Sequence, residues 1–377
     1  MKSTCAVFAI VLAAMAGAAA FAESGAPAAK ACAKLKAAVR VDGVDNRAMG
    51  VALDGKTLYC IAGRSLYALD VAEPLTPKVI GRLDGMDNRR QVAVADGFAY
   101  VVSRETGLRI VDVRDPRNMR LRSRSDSVEF ATGIDVVGKT VFLSERINGV
   151  EAVDVSDPDH PRHLCIRKTG ESQSNRYRNG FLYSGEWGGG RVTVFDAHDM
   201  RAFREIGTLE LGGFGDGLEI DGRYLYCSTG HDARHHRATQ LLVGHREGKI
   251  DDLADPTQNS AELVGAGRGL DIFDLADPAK PRYVSRVDFP VFKPRNDDYW
   301  TVRVADGLAF CCDSHNGLFV VDVHDPARPK LVDRFCVPEP GKDWPSGAIS
   351  SVAVGEGCIY VTSFPGGLWV VGGITLL

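Results

Sequence analysis

Along most of this chain apolar and polar residues alternate with a period of two, in runs of about six broken by turn residues. One unit reads QVAVADG, FAYVVS, GLRIVDV and MRLRSRS between residues 91 and 125. Alternation of this kind puts successive side chains on opposite faces of an extended backbone, and the β-branched and aromatic content favours strands over helices. Each unit therefore predicts four short strands, A to D. Beyond the first 22 residues no segment carries the pattern of a three-turn helix.

The unit recurs. Asp70, Asp112, Asp154, Asp196, Asp274 and Asp322 all close a strand C, in SLYALDVAEP, GLRIVDVRDP, GVEAVDVSDP, RVTVFDAHDM, GLDIFDLADP and GLFVVDVHDP. A seventh copy, GLWVVGG, carries Gly372 at that position. The first three intervals are 42 residues, and the later ones 78, 48 and 50. Turns at Asp54-Gly55, Asp96-Gly97, Val137-Gly138, Asn179-Gly180, Asp221-Gly222, Asp306-Gly307 and Glu356-Gly357 keep the same rhythm. Two markers with one period identify a tandem array. The A-B turns have the chemistry of type I′ hairpins, and the Asp-Pro of the C-D turns ends strand C because proline cannot continue a ladder.

Four-stranded units of about 40 residues, repeated four to eight times, build a β-propeller. The predicted fold is all-β, a seven-bladed propeller of four-stranded antiparallel blades. Residues 35–55 align with residues 77–97, so the propeller begins at a strand D. That strand is expected to close the ring by pairing in the last blade, leaving no free sheet edge there.

The GLxIVDVxDPxxP element, as in GLRIVDVRDPRN, GVEAVDVSDPDHP, GLDIFDLADPAKP and GLFVVDVHDPARP, resembles the LVIVD repeat family. The resemblance covers about residues 35–373. It is weaker in the fourth copy, where Ala197-His198-Asp199-Met200 replaces x-D-P, and in the seventh. It implies an exported bacterial or archaeal β-propeller and brings no set of catalytic residues.

Residues 1–22 read as a signal peptide: Lys2, an apolar stretch from Ala6 to Ala20, then the small-x-small site Ala20-Phe21-Ala22. A short segment, 23–34, would follow, then the propeller over 35–377 with an insertion at about 231–268. The expected location is periplasmic, secreted or cell-surface. No other stretch of 18 apolar residues exists, so no transmembrane segment is expected. A net charge of −4 argues against nucleic acid as a partner. The chain is expected to be monomeric. Cys60, Cys227 and Cys311 occupy one repeat position that elsewhere holds aliphatic residues, which predicts free, buried thiols.

The repeated aspartates are expected to cap their own turns. Function should lie where the repeats differ, on the face formed by the B-C and D-A connections, near the channel mouth. The candidates there are Arg47, Arg89, Glu145, Glu186, Trp187, Arg295, Trp300, Asp313 and His315. Glu145, Glu186 and Asp313 end strand B at one equivalent position, which would aim three carboxylates at a common face. Arg176 and Arg178 are also placed in a D-A loop. The insertion supplies His231, Asp232, His235 and His236, residue types that would hold a divalent metal ion. The expected function is non-catalytic binding or scaffolding, with a protein, peptide or glycan recognised at the channel mouth. The alternative is a metal-assisted lyase or hydrolase acting on an extracellular polymer.

Overall fold

The computed structural model describes residues 37–87, 89–103, 106–125, 131–187, 189–230, 267–290, 299–313, 316–337 and 348–373. For Ala37, Arg89, Asp216, Tyr299 and Trp300 it describes the backbone alone. Seven four-stranded antiparallel sheets form a β-propeller. The innermost strands A are Ala48–Asp54, Arg89–Ala95, Gly133–Val137, Ser172–Arg178, Gly215–Asp221, Tyr299–Ala305 and Ile349–Gly355, for blades 1 to 7. Strands A of neighbouring blades touch all the way round, blade 7 against blade 1 included. The strand Ala37–Arg40 lies fourth in blade 7, pairing antiparallel with strand C, Gly367–Gly372, with Ala37 opposite Gly372 and Arg40 opposite Trp369.

The apolar half of the alternation is buried between blades. Seven clusters of buried residues exist, and each joins one blade to the next. The seam between blades 7 and 1, for example, packs Val51, Leu58 and Cys60 on Leu368 and Val370. Removing these side chains from water is the main stabilising term for such a ring, at about 25 cal/mol per Å². Cys60, Cys227, Cys311 and Cys312 are buried and form no disulfide among the described residues.

A second joint is polar. The proline carbonyl of a C-D turn meets a small or hydroxyl side chain of the preceding blade. Ser123 Oγ donates to Pro158 O at 2.6 Å, and Ser285 Oγ to Pro326 O at 2.5 Å. In blade 1 the partner is Gly81, where an added Cβ would lie 2.0 Å from Pro116 O.

The A-B turns of blades 1 to 6 follow two chemistries, and in blade 7 the loop Glu356-Gly357 has positive φ on its second residue alone. In blades 2, 4 and 6 the loops are Asp96-Gly97, Asn179-Gly180 and Asp306-Gly307, and both residues have positive φ, as a type I′ turn needs. In blades 1, 3 and 5 the loops are Gly55-Lys56, Gly138-Lys139 and Gly222-Arg223, with positive φ on the glycine only. The expected type I′ geometry is therefore replaced there by a glycine-first turn. The reason is register: Asp54, Val137 and Asp221 are the last paired strand residues rather than turn residues.

All six repeated aspartates accept a backbone N-H two residues on, at 2.8 to 3.3 Å: Ala72, Arg114, Ser156, His198, Ala276 and His324. These side chains hold the C-D turns.

Candidate functional site

The seven strands A enclose a cavity of about 560 Å³ along the propeller axis, lined by residues from every blade. One register position runs round it. Ala52, Ala93, Asp135, Arg176, Glu219, Arg303 and Ala353 stand opposite the strand B aromatics Tyr59, Tyr100, Phe142, Tyr183, Tyr226, Phe310 and Tyr360. The ring is thus divided. Blades 7, 1 and 2 supply alanine, and blades 3 to 6 supply alternating charges.

The charged arc converges on one carboxylate. Arg303 Nη1 donates to Glu219 Oε2 at 2.8 Å, and Arg176 Nη2 to the same oxygen at 3.4 Å. Arg176 and Arg303 also donate to the backbone carbonyls of Asn175 and Val302. Asp135 Oδ2 accepts the Tyr177 N-H at 2.7 Å. The side chains of Arg176, Glu219 and Arg303 keep only 15%, 18% and 32% of their exposure.

Burial dominates the electrostatics here, since removal from water penalises every charged form. It pushes the Asp135 carboxyl above the usual carboxylate range, despite Arg176. Burial opposes the Glu219 charge as well, yet Arg176 and Arg303 outweigh it and hold that carboxyl below its usual range. The Arg303 guanidinium is lowered, burial again leading. Two residues along from Arg176, Arg178 lines the same cavity and makes no hydrogen bond or ion pair among the described residues. The chemistry available is recognition: fixed guanidinium donors on one side, apolar and alanine wall on the other.

Of the residues singled out from the sequence, Arg176 and Arg178 line the cavity, and Arg47, Glu145, Glu186, Trp187 and Asp313 do not. Arg47 is exposed and turns back on Asp45, its Nε and Nη2 donating at 3.1 Å, so the first D-N-R organises its own turn. In the second copy Asp87 instead pairs with the buried Arg109 and with Arg64. Glu145, Glu186 and Asp313 are fully buried, in blades 3, 4 and 6. Glu186 accepts from Thr193 Oγ1 and, at 2.8 Å, from Arg191 Nε, and Asp313 accepts the Asn316 N-H at 2.6 Å. Trp187 packs on Phe214 with ring centroids 5.3 Å apart. Arg89 and Trp300 lie in the strands A of blades 2 and 6. Arg295, His315, His231, Asp232, His235 and His236 lie outside the described residues. Among the described residues no group of three or more His, Cys, Asp or Glu is arranged to hold a metal ion, and no helix is long and apolar enough to cross a membrane.

Arg176 and Arg178 belong to a strand A, not to a D-A loop as the sequence suggested. Tyr177 alternates with them in the strand Ser172–Arg178. The sequence signal that would have found the arc is the position seven residues before each strand B aromatic, where three copies hold alanine and four hold a charge.

The LVIVD repeat model matches residues 88–126 and 298–337, the spans of blades 2 and 6. The chain carries LVIVD repeats. Among curated proteins none matches this sequence. Among solved structures, the propeller resembles the crystal structure of the computationally designed Ika8 protein at 9% identity and a TM-score of 0.56, over 89% of this chain and 98% of that one. At that identity the likeness concerns fold alone.

Proposed function

We propose that this LVIVD-repeat propeller is an exported, non-catalytic binding or scaffold protein that takes a protein, peptide or glycan ligand at the mouth of its central channel. The observation that carries the reading is the divided channel, in which a rigid ring of seven strands holds buried charges against a wall of small and apolar side chains. Concave sites with a few fixed polar groups on an apolar lining suit ligand recognition. The remaining repeated polar groups are consumed by structure: the six aspartates cap turns, and Glu186 and Asp313 are satisfied inside their blades. The Ala6–Ala20 stretch and the site that follows it support export.

The test is binding of the purified mature protein to glycan and peptide arrays, beside the variant Ala93→Phe, which places a ring in the channel without touching the charged arc. Saturable binding lost in the variant is expected. Binding that persists unchanged would remove the channel from the reading. One metal ion per chain in the purified protein, with polymer cleavage, would replace it by a metal-assisted lyase or hydrolase.

A further inference from the structure

Five charged side chains line the channel, and they do not balance. Arg176, Arg178 and Arg303 stand against Asp135 and Glu219. A single oxygen of Glu219 serves both Arg176 and Arg303, at 3.4 and 2.8 Å. Arg178 has no protein partner among the described residues. A guanidinium drawn from bulk water with no counter-charge is costly, and an anion that completes its hydrogen bonds recovers that cost. Across the channel, Ala52, Ala93 and Ala353 stand at the register position where the charged arc has long side chains. Val51, Leu53, Val92, Val352 and Val354 continue that wall.

We propose that the channel binds a small organic oxyanion, with a carboxylate or phosphate head held by Arg178 and Arg303 and its uncharged body against the alanine arc. Guanidinium forks match both head groups, and the cavity volume lies within the range of about 300–1,000 Å³ common for small-molecule sites. The inference rests on the reading of the channel as a ligand site and adds the charge of what enters. Asp135, whose carboxyl is raised by burial, faces Arg176, Glu219 and Arg303.

The test uses the full mature protein in calorimetric and thermal-shift titrations against matched probes: benzoate and phenyl phosphate with benzyl alcohol, and glucuronate with glucose. The charged member of each set should bind saturably and raise the melting temperature, the neutral member should not, and benzoate against phenyl phosphate separates the two head groups. Arg178→Gln should weaken anion binding about tenfold or more. Its melting temperature without ligand should stay near the wild-type value because the Arg178 side chain makes no hydrogen bond or ion pair among the described residues. Arg178→Lys should keep part of the affinity, and Ala93→Phe should abolish it. Equal binding of charged and neutral probes, no binding of either, or anion affinity unchanged in Arg178→Gln would overturn the inference. Neutral probes that bind and are blocked by Ala93→Phe, while anions do not, would end the oxyanion assignment and leave the channel as a ligand site. Anion binding with no ligand on the arrays would keep the oxyanion assignment and end the reading of a protein, peptide or glycan ligand.

Discussion

Tyr360 donates its hydroxyl to the carbonyl of Pro74, 2.9 Å away across 286 residues, and so ties strand B of blade 7 to the C-D turn of blade 1. The same joint recurs where Tyr59 reaches Val113 O at 3.3 Å and Tyr183 reaches Pro278 O at 2.8 Å. Burial pushes the Tyr360 hydroxyl well above its ordinary pKa, which keeps it a donor at physiological pH. Tyr360→Phe removes the donor and leaves the half-buried Pro74 carbonyl with the Cys358 thiol, 3.8 Å away. We expect a loss of about 1 kcal/mol, measured as a lower denaturant midpoint with the slope unchanged.

Deleting residues 37–40 has a larger effect, because it strips one strand from blade 7 and opens the backbone edge of Gly367–Gly372. The expected result is a lower melting temperature together with concentration-dependent association in light scattering. A monomer that melts like the full protein would show that the pairing contributes nothing to the ring.

The turn aspartates set the acid response. The Asp154 carboxyl is held down to about 2 by the Ser156 N-H and hydroxyl and by Arg162. A carboxyl lowered on folding contributes stability that is present above its unfolded value of 3.8 and is lost as pH falls through about 2. Asp154→Ala should cost about 1 kcal/mol at neutral pH and flatten that part of the stability curve, a comparison made by denaturant melts from pH 5 downward.

Asp135 behaves in the opposite sense. Its carboxyl is raised on folding, so its contribution is complete below the unfolded value of 3.8 and lost as pH rises through the folded value. Asp135→Asn should therefore stabilise the protein at pH 7 relative to pH 4, compared with wild type. Glu219→Gln should destabilise by about 3 kcal/mol, since it leaves Arg176 and Arg303 without their shared counter-charge. Equal effects of the two substitutions at pH 7 would contradict the arrangement of the arc.

Burial raises the Cys227, Cys311 and Cys312 thiols far above the range in which they ionise, and Cys60 is fully buried. In the native protein these four should resist thiol reagents and react only on unfolding. Rapid labelling of any one, located by mass spectrometry, would refute the packing of its seam.

Much of the fold was legible before any coordinates. The alternation of QVAVADG and FAYVVS marks strands, Asp-Gly and Asp-Pro mark turns, and the six aspartates cap those turns as their position implied. The channel was less legible. Arg176 and Arg178 are legible as charged residues, but a loop and an inner strand are both compatible with arginine, and the length variation that marks the connections does not reach the inner strands. Glu145, Glu186 and Asp313 do share a repeat position, yet the end of strand B is buried, so their equivalence reflects the blade interior rather than a shared exposed face.

The sequence by itself determined the repeat, the four-strand unit, the turn chemistry and the burial of the Cys60 position, because each depends on a few neighbouring residues and a period of two. Only the tertiary structure decided that Glu219 meets both Arg176 and Arg303, that three alanines face them, and that Arg178 has no partner among the described residues. Those relations join residues from blades far apart in sequence, and they follow from how seven sheets are arranged about one axis, which no local pattern specifies.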